Sequence, residues 1–194
     1  MRYQKFGVTV YDSSRATLGY TVIAPQSGRN VYMIGMDGDI VHQWSFPLRP
    51  GNYAYLLKSG NFLWDGRTAD GVPLVRGKGG MLREVDWGGN IVWEYSDPDQ
   101  HHYFRRRDDG NTIYLGWEAM RPENALRVIG GIPGSEHDGE IYGDYVREVN
   151  PAGDTIWEWH AQDDMEIENY PLNPLAGRDE FAHANACFPL PNGD

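Results

Sequence analysis

Apolar and polar positions alternate along much of this chain, as in Tyr145, Val146, Arg147, Glu148 and Val149. Side chains of an extended strand point to opposite faces in turn, so a period of two between polar turns reads as half-buried β-strand. Three such runs share one phrase: MDGDIVHQW (Met36 to Trp44), WGGNIVWEY (Trp87 to Tyr95) and PAGDTIWEW (Pro151 to Trp159). Each begins with a polar turn on Gly38, Gly89 or Gly153, continues through β-branched residues, and ends on aromatic or His positions flanking Gln or Glu. A second phrase is interleaved with it, with turns at Gly60 (LLKSGNFLW), Gly110 (RRDDGNTIYL) and Gly193 (FPLPNGD). Glycine beside Asp or Asn suits the positive backbone angles of tight hairpins.

Self-similarity at a fixed period points to a repeat architecture. Pairing each first-phrase turn with the second-phrase turn that follows gives units of two hairpins, starting 51 and then 64 residues apart. Four short strands per unit predict an all-β fold of propeller type, with about three blades at roughly 20–70, 80–120 and 144–194 in one partial domain. An insertion is expected over 160–180, holding the best helical candidate, Asp163 to Asn169. Three blades do not close a ring, and the chain ends on a turn. The expectation is therefore a piece of a larger propeller, or a ring completed by self-association or by a second chain, with a complete open arc as the alternative.

Net charge is −11, with the 17 basic residues scattered. Nucleic acid is not an expected partner, because phosphate binding needs a concentrated basic face. The one dense run, Arg105 to Arg107, precedes Asp108 and Asp109 and reads as a solvated strand edge. A single cysteine, Cys187, excludes an internal disulfide and reads as a buried structural thiol. No stretch is long and apolar enough to span a membrane, so no membrane partner is expected. The N-terminal MRYQKFGVTVYD lacks the core of a signal peptide. As written, the chain is expected in the cytoplasm, and outside it if the N-terminus has been trimmed.

Of six histidines, His42 and His160 lie among aromatics and read as packing, while His137 lies in a polar loop. No HxH or HExxH spacing occurs, so neither a metal nor another cofactor is expected. Gly77, Lys78, Gly79 and Gly80 lack the phosphate-loop pattern and precede a strand. Glu84, Glu94, Glu148 and Glu158 recur with Arg83 and Arg147, as cross-strand ion pairs would. His102 and Asn52 each stand eight residues before a second-phrase glycine; Asn185 stands eight, and His183 ten, before the third. Even offsets place these side chains on one face of an unbulged strand, with His101 pointing away. The histidines then either converge as donors, acids or bases on a central anionic substrate, or tie blades together by buried hydrogen bonds.

In order along the chain, GYTVIAP (Gly19 to Pro25), VYMIGMDGDIVHQW, GGMLREVDWGGNIVWEY, HHYFRRRDDGNT and FAHANACFPLPNGD resemble the aryl-sulfate sulfotransferase family. The resemblance runs from about Gly7 onward. It implies a six-bladed propeller that moves a sulfuryl group from a phenolic sulfate to a phenol through a sulfohistidine, without a nucleotide donor. His101 and His102 match the family's HHD-type motif, with Tyr103 where an acidic residue is usual. His183 and Asn185 match its HxN motif. The resemblance thus implies that His102 and His183 are catalytic, with Asn185 and His101 near the substrate; Asn52 is expected beside them from its even offset alone. The family's nucleophilic histidine and sulfate-clamping arginine match no residue of this sequence. Two rival classes stand beside this reading: a non-catalytic binding or assembly module, and a propeller lyase or dehydrogenase using the same axial pocket.

Overall fold

The computed structural model describes residues 7–25 and 27–190, so the expected turn at Gly193 lies outside the described residues. The architecture is all-β and built of three sheets. The first holds β1 (Thr21–Ile23), β2 (Asn30–Ile34) and β3 (Ile40–Ser45) in that order, all antiparallel. The second is a four-stranded antiparallel meander of β4 (Pro50–Leu56), β5 (Phe62–Arg67), β6 (Gly80–Val85) and β7 (Ile91–Ser96). The third repeats that meander with β8 (Gln100–Arg106), β9 (Thr112–Ala119), β10 (Tyr142–Val149) and β11 (Thr155–His160). A two-residue strand, β12 (Glu180–Phe181), lies parallel to the start of β10.

The turns at Gly60, Gly89, Gly110 and Gly153 close hairpins, as their residues require. Their grouping differs from the units read along the sequence. The Gly60 hairpin shares a sheet with the Gly89 hairpin, and Gly110 with Gly153, so the sheets run 50–96 and 100–160. The boundaries at 20–70 and 80–120 cut across them. The cause is the pairing of β5 with β6, which joins hairpins across the 68–79 loop, whereas the short links 46–49 and 97–99 carry the chain between sheets.

The sheets stack through their alternating side chains. Phe62 and Trp64 of β5 face Val31, Trp44 and Phe46, while Leu63 between them and Leu82 face Phe104, Tyr114 and Tyr145. β5 is buried on both faces, which is why FLW reads as a continuous apolar run rather than an alternating one. The expected ion pairs form on the sheets: Arg83 with its register partner Glu94, and Arg147 with Glu158. Glu84 and Glu148 take the side-chain amides of Asn61 and Asn111 at 2.7 and 2.8 Å.

Two excursions depart from the repeat. Residues 121–141 leave the β9–β10 connection with α1 (Pro122–Ala125). Residues 161–179 carry α2 (Ala161–Asp164) and a 3₁₀ turn at Ile167–Asn169, so the helical candidate is two short pieces. Both excursions pack on one cluster, with Val128, Ile141, Ala161, Ile167 and Phe181 buried together. No helix among the described residues is long and apolar enough to cross a membrane.

Candidate functional site

β8 does not run straight. Its pairing with β9 steps from His101–Leu115 to Phe104–Tyr114, leaving His102 and Tyr103 as two extra residues on the β8 side. His102 takes the left-handed conformation, φ +49°, uncommon for a residue with a side chain. Its N–H donates to the Gly77 carbonyl at 2.7 Å. Because two residues bulge out, strict alternation fails: His101 does not point away from His102. The two Nδ1 atoms are 2.8 Å apart, with the rings nearly perpendicular.

The same bulge occurs in β4, where pairing steps from Pro50–Gly66 to Ala54–Trp64. There the backbone N–H groups of Asn52 and Tyr53 donate to the buried Asp65 carboxylate at 3.2 and 3.3 Å. Burial pushes the Asp65 pKa up to about 7, against those stabilising N–H groups. Tyr53 stacks on Tyr103 at 4.8 Å, which sets the two bulges side by side.

Gly77 and Gly79 explain the glycine-rich stretch sterically. A Cβ at Gly77, itself at φ +77°, would collide with the outer edge of the His102 ring, and one at Gly79 would strike the Gln100 carboxamide. These glycines admit neighbouring side chains, and Lys78 between them turns its Nζ back onto the Val72 carbonyl at 2.7 Å.

Behind His102 stands a buried chain. His101 is fully enclosed, stacked on Trp117 at 4.0 Å with the planes 13° apart. Its Nε2 lies 3.2 Å from Oδ1 of the equally buried Asp144, close enough for a strong electrostatic contact though not aligned as a hydrogen bond. A lone pair on Nε2 facing that carboxylate would be repulsive, so the proton of neutral His101 belongs on Nε2. Its Nδ1 is then the acceptor, and His102 Nδ1–H the donor. His102 is left with an unprotonated Nε2 on its outer edge. Its pKa is lowered to about 4, first by burial and then by the neighbouring His101 and His183.

His183 approaches from the segment after β12. Ala182 and His183 are both left-handed, φ +78° and +56°. The Ala184 N–H donates to Asp144 Oδ2 at 2.5 Å, so one carboxylate anchors this arm and faces His101. Glu180 bridges Trp117 Nε1–H at 2.7 Å and His183 Nδ1 at 2.5 Å. The His102 and His183 ring centroids come within 5.7 Å, with His183 half-exposed.

The expected residues therefore separate. His102 and His183 meet. His101 is a buried support for His102 rather than a group that touches a ligand. Asn185 is exposed, its amide donating to the His183 carbonyl at 3.3 Å, and Asn52 is exposed on the adjacent bulge. His42 stacks on Trp87, and His160 hydrogen-bonds Glu118, as packing roles require. Cys187 is partly buried, and desolvation pushes its thiol up to about 12, as an unreactive structural cysteine requires. Among the described residues no group of three or more metal-type ligands converges. Sequence reasoning misses Asp144, Glu180 and Trp117. Glu180 precedes His183 by three residues, but Asp144 has no counterpart in the repeat and reaches His101 only through folding. A cleft of about 900 Å³ lies elsewhere among the described residues, at the far ends of β4 and β8. The paired histidines are nonetheless the better chemical candidate, because titratable groups and a supporting network converge there.

No family model matches this chain, and no curated protein matches it. Among solved structures, it is similar to a protein of unknown function from Bacteroides caccae, with 13% identity and a TM-score of 0.48. The match covers 77% of this chain and 48% of the other, so the chain spans about half the length of that structure.

Proposed function

We propose that this chain is part of a β-propeller of aryl-sulfate sulfotransferase type, in which His102 and His183 hold the sulfate ester. The observation that carries the reading is their convergence to 5.7 Å, at the positions where the family resemblance places its sulfate-binding histidines. A carboxylate stands behind each: Asp144 behind His102 by way of His101, and Glu180 directly on His183. The propeller part draws support from equivalent positions of the repeat that meet. Tyr55, Arg105 and Phe188 each stand five residues before a second-phrase glycine, and the Arg105 guanidinium lies 4.8 Å from the Tyr55 ring and 5.4 Å from that of Phe188.

Chemically, free His102 is neutral at pH 7 and presents a lone pair at Nε2. A sulfate ester placed against it favours the imidazolium, because the opposite charge offsets the burial and the neighbouring histidines that keep the proton off. Ester binding would thus draw a proton onto Nε2, turning an acceptor into a donor on a sulfuryl oxygen. His183, held by Glu180 through Nδ1, in its protonated form offers Nε2–H to the departing phenolate. The sulfuryl group itself passes to a nucleophile that matches no residue of this sequence.

The test is 4-nitrophenolate release from 4-nitrophenyl sulfate with phenol as acceptor, using the completed propeller. His102→Ala and His183→Ala should each lower the rate about 10²- to 10³-fold with the fold intact. Undiminished turnover in both variants would remove the histidines from the site.

A further inference from the structure

The cleft of about 900 Å³ between the ends of β4 and β8 is lined by four cations and three carboxylates, in a chain of net charge −11. Three of those cations are already paired: Lys58 with Asp108 at 2.7 Å, Arg106 with Glu84 at 3.1 Å and Arg107 with Glu148 at 3.4 Å. Arg105 differs. Among the described residues its guanidinium has neither an ion pair nor a hydrogen bond, and it lies between the Tyr55 and Phe188 rings. Aromatic faces orient a guanidinium and strip water from it while leaving its N–H edge open, the edge that matches a carboxylate in a two-point contact. The wall beside it is apolar and open: Phe188 and Leu190 are 62% and 55% exposed.

We propose that this cleft binds a small aromatic carboxylate, the carboxylate on the Arg105 fork and the ring against Phe188 and Leu190. One unpaired cation beside an apolar wall selects a monoanion with an apolar body. A simple inorganic anion would leave the wall wet, and a neutral aromatic would leave the cation unanswered. The sequence presents Arg105 to Arg107 as one solvated run. Folding pairs two of its members and holds the third ready. The site shares no residue with the histidine cluster, so the two readings stand or fall separately.

The probe is 1-naphthoate, titrated calorimetrically into the chain at low ionic strength, with neutral 1-naphthamide as the control. Saturable binding is expected, at least tenfold weaker for the amide and at least tenfold weaker for naphthoate with Arg105→Gln. Arg105→Lys keeps the charge without the fork and should fall between; thermal midpoints of both variants verify folding. His102→Ala should leave naphthoate affinity within twofold. No saturation at millimolar naphthoate, equal affinity for the amide, or loss through His102→Ala rather than Arg105→Gln would each overturn the proposal.

Discussion

Among individual side chains, the proposed chemistry turns on which nitrogen of His102 carries the proton. Asp144 decides this at one remove, by keeping the His101 proton on Nε2 and so leaving His101 Nδ1 to accept from His102. Asp144→Asn removes the charge but keeps the shape. The carboxamide can face His101 through either its oxygen or its NH₂, so the tautomer is no longer imposed. Imidazole ¹⁵N spectra at pH 7 should show wild-type His102 protonated at Nδ1 alone, and a mixture of tautomers in Asp144→Asn. An unchanged spectrum would mean that Asp144 holds only the Ala184 backbone. None of this was legible in the sequence. HH at 101–102 showed that two imidazoles were adjacent, but period-two alternation assigns neighbours to opposite faces. A carboxylate 42 residues beyond His102 carries no local signal.

Among strands and turns, identity was legible, because alternation and glycine-centred hairpins are local properties. Two things were not. The phase of the repeat depended on whether β5 would pair with β6 across the 68–79 loop, a matter of sheet packing rather than of turn chemistry. The bulges in β4 and β8 depended on groups that satisfy their backbone: Asp65 beneath Asn52 and Tyr53, and the Gly77 carbonyl beneath His102. The β8 bulge has a testable steric partner. At φ +77°, with the His102 ring against it, Gly77→Ala must strain the loop and displace the imidazole. It should lose about 1–3 kcal/mol in denaturant unfolding and shift the His102 ring resonances. Wild-type stability together with an unmoved His102 would show that the ring does not depend on this contact.

Across the molecule as a whole, stacked sheets related by the repeat set the starts of β4, β8 and the β12 segment close together. Residues far apart in sequence thereby meet at one end as His102 and His183, and at the other as Tyr55, Arg105 and Phe188. The link between the second and third sheets is pinned by Asp97, whose Oδ2 accepts from the hydroxyls of Tyr114 and Tyr145 and from the guanidinium of Arg147, each at 2.6 Å. If the histidine pair held together by this arrangement is a sulfate-ester site, binding there has a pH signature. Free His102 titrates near pH 4, and an anion beside it raises that value, so binding takes up a proton at any pH between the two. Affinity must therefore rise as pH falls from about 7 toward 4. The decisive measurement is calorimetric titration of 4-nitrophenyl sulfate into the chain at pH 5 and pH 8. Tighter binding is expected at pH 5, with a pH dependence that flattens in His102→Ala. An affinity independent of pH, or one that His102→Ala leaves unchanged, would rule out the sulfate-ester site.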